Sequence, residues 1–109
     1  MGHTVHIKLN GATGGDLPEL RLARSHEEAF YELFAKKFPE EVPSNKGFKV
    51  SISAMLHVIM ALTVQLIKES SEDHPDYYNG KATAGMLNFL AESLFWADNN
   101  DEIEIYPWY

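Results

Sequence analysis

Residues 54–68, AMLHVIMALTVQLIK, form the longest apolar run of the 109-residue chain, and the other elements arrange themselves around it. At about 100° per residue, His57, Ala61, Gln65 and Lys68 fall on one narrow stripe, with Ala54 and Glu69 at its edges. Met55, Leu56, Val58, Ile59, Met60, Leu62, Val64, Leu66 and Ile67 fill the rest, with Thr63 alone on the far side. That apolar arc exceeds the roughly 100° a surface helix needs. It predicts a helix covered on two sides, by a sheet and by another helix. The run falls short of the ~20 apolar residues of a membrane span. Ser53 is the expected N-cap, and Lys68 followed by Glu69-Ser70-Ser71-Glu72-Asp73 marks the end.

Upstream, Thr4 to Leu9 alternates, with Val5, Ile7 and Leu9 against His6 and Lys8, the pattern of a half-buried strand. The glycine-rich stretch Asn10-Gly11-Ala12-Thr13-Gly14-Gly15-Asp16 reads as a hairpin turn. It lacks the Gly-Lys-Ser/Thr ending of a phosphate loop and does not lead straight into a helix. Glu19 to Ala23 is the return strand, which Pro18 confines to an edge or a strand start. Ser25 and Glu28 have the spacing of a capping box. The helix they open buries Phe30, Leu33, Phe34 and Phe38, with Tyr31 at its border, and stops at Pro39. Glu40 to Gly47 is a loop. Phe48 to Ile52 alternates again and leads directly into the apolar helix.

Downstream, Asp73-His74-Pro75-Asp76 caps a short turn through Tyr77-Tyr78 that Asn79-Gly80 breaks. A last helix is expected from about Ala82 to Ala97, on a stripe of Leu87, Leu90 and Leu94. Asp101 to Tyr106 reads as a fourth strand, with Ile103 and Ile105 inward. The order β-β-α-β-α-α-β implies an α+β, two-layer domain: a mostly antiparallel sheet of about four strands with three helices. Residues 1–109 are expected to form a single domain. The strand order cannot be read from the sequence.

Absent cysteine excludes disulfides, thiolate catalysis and cysteine zinc sites. The start MGHTVHIKLN has no apolar leader region, so cytoplasmic location is the default expectation. The net charge of −7 is uneven. Residues 1–55 carry seven Lys/Arg and seven Asp/Glu, whereas residues 56–109 carry two lysines and nine acids. Direct nucleic-acid binding wants the opposite sign, and a protein partner with a basic surface fits better.

No site motif for an enzyme, a metal or a cofactor is present. His3 and His6, three apart on a strand, point to opposite faces and cannot clasp one metal. His74 between Asp73 and Asp76 is explained by helix capping. The aromatics are more suggestive. Phe89 and Trp96, seven apart, share one flank of the last helix, and Phe95 lies on the other. Tyr106, Trp108 and Tyr109 crowd the end of the chain beside Glu102 and Glu104. These tail aromatics either dock on their own domain or serve an interface, and aromatic anchors rimmed by acids suit a protein interface. The expectation is a small acidic, non-enzymatic binding module, of the kind found among inhibitors, immunity proteins and antitoxins. It would act through Phe89, Trp96, Glu102, Glu104, Tyr106, Trp108 and Tyr109. An alternative is a small-molecule site or enzyme around His57, Asn88 and Glu92, between the two long helices. A second alternative is a structural subunit that self-associates through the tail.

Overall fold

Strand β1 (His3–Leu9) buries Val5 and Ile7 on one face and turns His6 and Lys8 to the other, as its alternation requires. The computed structural model describes residues 2–12, 16–42, 46–71, 76–98 and 102–108. Leu9 and Ala12 exchange two backbone hydrogen bonds of 3.0 Å across Asn10 and Gly11. Both intervening residues have positive φ, at 54° and 81°, the conformation that makes Asn-Gly a favoured tight turn. Residues 13–15, the rest of the glycine stretch, lie outside the described residues. β2 (Glu19–Leu22) returns antiparallel, as an edge strand starting just after Pro18.

β3 (Phe48–Val50) and β4 (Ile103–Trp108) complete one antiparallel sheet of order β2-β1-β4-β3. The chain is therefore an α+β fold with the expected element order. Asn10 locks β1 to β4. Its N–H donates to the Glu102 carbonyl, and its Oδ1 accepts from the Glu102 N–H, both at 2.8 Å. Beyond Ile105, β4 pairs with β1 alone, which leaves room for Pro107.

The helices end differently from the sequence expectation. α1 (Arg24–Glu32) has Ala23 at its N-cap and no side-chain cap, so Ser25 and Glu28 form no capping box. It stops well before Pro39. Ala35 turns left-handed at φ 56°, and its N–H donates to the Glu32 carbonyl at 2.9 Å while Lys36 donates to Tyr31 at 3.0 Å. This is a Schellman ending with alanine where glycine is usual. Left-handed backbone costs a β-carbon-bearing residue about 1–2 kcal/mol, and glycine returns part of that as unfolded-state entropy. Ala35→Gly is therefore expected to stabilise the protein by about 0.5–1 kcal/mol, read as a higher urea midpoint at unchanged slope.

α2 (Ile52–Glu69) is capped by Ser51, not Ser53: the Ala54 N–H donates to Ser51 Oγ at 3.0 Å. β3 is correspondingly shorter, because Ile52 already belongs to the helix. α3 (Tyr77–Trp96) is one continuous helix. Asp76 caps it by accepting from the Asn79 N–H at 3.1 Å and its side-chain amide at 2.8 Å, so Asn79-Gly80 forms the first turn and breaks nothing. α2 and α3 make a hairpin closed by the Asp76 N–H to the Glu69 carbonyl, 2.7 Å. Met55, Val58 and Leu62 of α2, Met86, Phe89 and Leu90 of α3, Phe30 and Tyr31 of α1, and the inward residues of all four strands share one core.

Candidate functional site

The C-terminal strand docks on its own domain as far as Trp108, which pairs with Thr4. Glu104, Tyr106 and Trp108 project from the sheet face opposite Ile103 and Ile105. Tyr106 is buried there. The His6 ring stacks on it at 5.3 Å, and the Lys8 ammonium stands 4.6 Å above its centre. Trp108 meets His6 edge-on at 6.2 Å and stays half exposed. The neighbouring acids face lysines. Glu104 pairs with Lys8 at 3.6 Å and lies opposite Lys49 in register, and Glu102 pairs with Lys49. The hydrogen bond that Lys49 donates to Glu102, and then the Glu102 carboxylate charge, hold the Lys49 ammonium above the usual lysine range. The pair is exposed and screened by solvent. It balances charge across this edge, so these two acids do not stand as an unmatched rim around the aromatics.

Phe89 is core, packed 6.4 Å from the Phe30 ring. Trp96, the last residue of α3, is half exposed, and Phe95 beside it is 84% exposed. Tyr109, Asp101, Asp73 and His74 lie outside the described residues.

His57 is exposed on the rim of an open groove of about 530 Å³ between the end of α1, β3 and the first half of α2. Among the described residues, none from α3 lines this groove. Asn88 and Glu92 sit on the exposed side of α3, so they do not join His57 in it. A smaller hollow of about 240 Å³ lies where the three helices meet. Its polar groups satisfy one another: Thr83 Oγ1 donates to Glu69 at 2.8 Å and accepts from Gln65 at 3.4 Å. Among the described residues, no buried side-chain nitrogen or oxygen lacks a hydrogen-bond partner. No group of three acids or histidines there could hold a metal.

One acid-histidine-hydroxyl relay exists that the sequence did not reveal. Glu27 Oε1 is 3.1 Å from His3 Nδ1, and the Tyr31 hydroxyl is 2.7 Å from Nε2. The carboxylate accepts from Nδ1–H, and the Tyr31 hydroxyl pairs with Nε2. The imidazole is also stacked on Tyr31 and Phe38. Tyr31 has no exposed surface, so no substrate reaches its oxygen. The relay fastens α1 to the start of β1.

The feature that stands out is on α2. Its core arc is narrower than its apolar arc. Leu56, Met60, Val64 and Ile67 are exposed by 49, 67, 52 and 68%. The helix packs on α3 and shares the core with the strands, but they cover less of its apolar arc than the sequence implied: Met55, Val58 and Leu62 are buried and a second aliphatic flank stays in water. That flank exposes on the order of 400 Å² of apolar surface, within the range at which patches on monomers are often functional. No Asp, Glu, Lys or Arg occurs between Ser53 and Ile67. The signal was present in the excess width of the apolar arc. With 18 residues and a mean hydropathy of 1.4, α2 is by length and composition also able to cross a membrane.

The chain matches no protein-family model, no curated protein and no solved structure, so the residues themselves carry the functional reading.

Proposed function

We propose that this chain is a non-enzymatic protein-binding module whose contact surface is the solvent-facing flank of α2. The observation that carries this is the row Leu56, Met60, Val64 and Ile67, four large aliphatic side chains on one face, each about half or more in water. Exposing them sacrifices hydrophobic free energy of about 25 cal/mol per Å², which a partner covering the row would recover. Inhibitor-like, immunity-like and antitoxin-like roles all need such a complementary surface. The matched charges at Glu102 and Glu104 give less support to electrostatic capture of a basic partner through β4. The half-exposed Trp108 and Trp96 are secondary anchors.

The test is photo-crosslinking in the native host, with benzoyl-phenylalanine at Met60 or Ile67 and a control at Glu28, on the exposed face of α1. Discrete adducts are expected from both α2 positions and not from Glu28. No adduct from either α2 position sinks the proposal.

A further inference from the structure

We infer that the occupant of the α2 flank is a second copy of this chain, packed helix against helix about a two-fold axis. This rests on the reading of α2 as the contact surface given above. Down the middle of that flank, with Val64 at its edge, Leu56, Met60, Thr63 and Ile67 are separated by four, three and four residues. That is the alternation of a helical packing seam, and it reads the same in both directions. An antiparallel copy therefore sets Leu56 opposite Ile67 of the second copy, and Met60 opposite Thr63 of the second copy. The axis passes between Met60 and Thr63, and the contact is isologous.

Charge favours this occupant over the others. The seam is neutral from Ser53 to Ile67, so self-pairing brings no like charges together along it. The two Lys68 ammonium groups, at opposite ends, stand about 20 Å apart at 1.5 Å rise per residue, beyond the ~8–10 Å screening length. A basic partner finds no carboxylate along the seam, and Glu69 at its end already accepts from Thr83. A bilayer is disfavoured because membrane-surface helices carry Lys and Arg on the polar face. Here that face offers His57, Ala61 and Gln65, with Lys68 as its sole Lys or Arg, in a chain of net charge −7. Two flanks of ~400 Å² fall below the ~1,200 Å² of standard interfaces. The dimer is therefore weak and concentration-dependent. Because the rest of each chain is acidic, added salt tightens it, the reverse of capture by a basic partner.

Sedimentation velocity on the full chain from about 5 to about 500 µM, the range of weak association, tests this. The average mass is expected to rise from 12.3 kDa toward twice that value, and further at higher salt. Met60→Glu should stay monomeric throughout, with an unchanged thermal melt, because Met60 is already mostly in water. Leu56→Lys and Ile67→Glu should each weaken the dimer at least tenfold. The double variant should recover it, since each new cation then faces a new anion on the other copy. A monomer at every concentration overturns the inference. So does a dimer that survives Met60→Glu, a double variant no better than the singles, or a monomer that co-sediments with neutral phosphatidylcholine vesicles. If Met60 crosslinks only to a foreign protein while the chain stays monomeric, self-association falls and the contact surface itself stands. If Met60 and Ile67 give no adducts at all, the surface falls.

Discussion

Tyr31→Ala is expected to cost about 3–5 kcal/mol, a large share of the ~5–15 kcal/mol that holds a domain of this kind together. Tyr31 is fully buried, stacks on Phe38 at 4.8 Å and meets Phe30 and Phe48 edge-on. Truncation leaves a cavity bordered by three phenylalanine rings and the His3 imidazole, and surrounding side chains cannot collapse into it without moving α1. Tyr31→Phe separates the packing from the polar contact. It keeps the ring but deletes the 2.7 Å hydrogen bond to His3, and leaves a buried imidazole nitrogen without that partner. The expected loss is about 1–3 kcal/mol. Urea titrations of both variants measure the two costs. A Tyr31→Phe midpoint equal to that of the parent would mean that the relay contributes nothing to stability.

The second large effect is expected at Gly47, just before β3. A β-carbon there would overlap the Ile105 carbonyl and lie 2.6 Å from Tyr106 Cβ. Both obstacles belong to β4, an interior strand held by β1 on its other side. Neither is the end of a flexible side chain, so relief requires β3 to lift from β4, breaking its pairing at Phe48 and Ile105. Gly47→Ala is expected to destabilise by about 2–4 kcal/mol, at or above the usual range for overpacking. Amide exchange should localise the damage to Phe48–Val50 and the facing part of β4. Even loss of protection across all strands would show instead that β3 docks only with the whole sheet.

Much of the fold was legible because it is local. Alternation at Val5, Ile7 and Leu9, at Phe48 and Val50, and at Ile103 and Ile105 identified three strands, and the apolar run identified α2. The misread boundaries have particular causes. Two serines stand at the start of α2, Ser51 before it and Ser53 in its first turn, and which one caps it is decided by where β3 releases the chain. Ala35 ends α1 in a conformation for which alanine gives no sequence signal. Asn79-Gly80 reads as a break until Asp76 is seen holding Asn79.

The candidate site was less legible because it depends on neighbours distant in sequence. Glu102 and Glu104 read as an acidic rim. Only the strand order brings Lys49 and Lys8 to them. Phe89 lies beside the leucine stripe on paper, but α1 widens the buried arc and takes it in. The aliphatic surplus of α2 was visible, and its meaning was not. A broad apolar arc says how much surface wants cover and does not say whether this chain supplies it.

The sheet order has a bearing on synthesis. β4, made after the other three strands, lies between β1 and β3. Until Ile103–Trp108 has cleared the ribosome, β3 has no strand to pair with and the β1–β2 hairpin has an open edge. Meanwhile α2, already translated, shows both its aliphatic sides to the surroundings. Chains grow at about 5–20 residues per second, so the stretch from Glu69 to Trp108 leaves α2 uncovered for seconds. The inner side of α2 meets its full set of core partners only when β4 slots into the middle of the sheet.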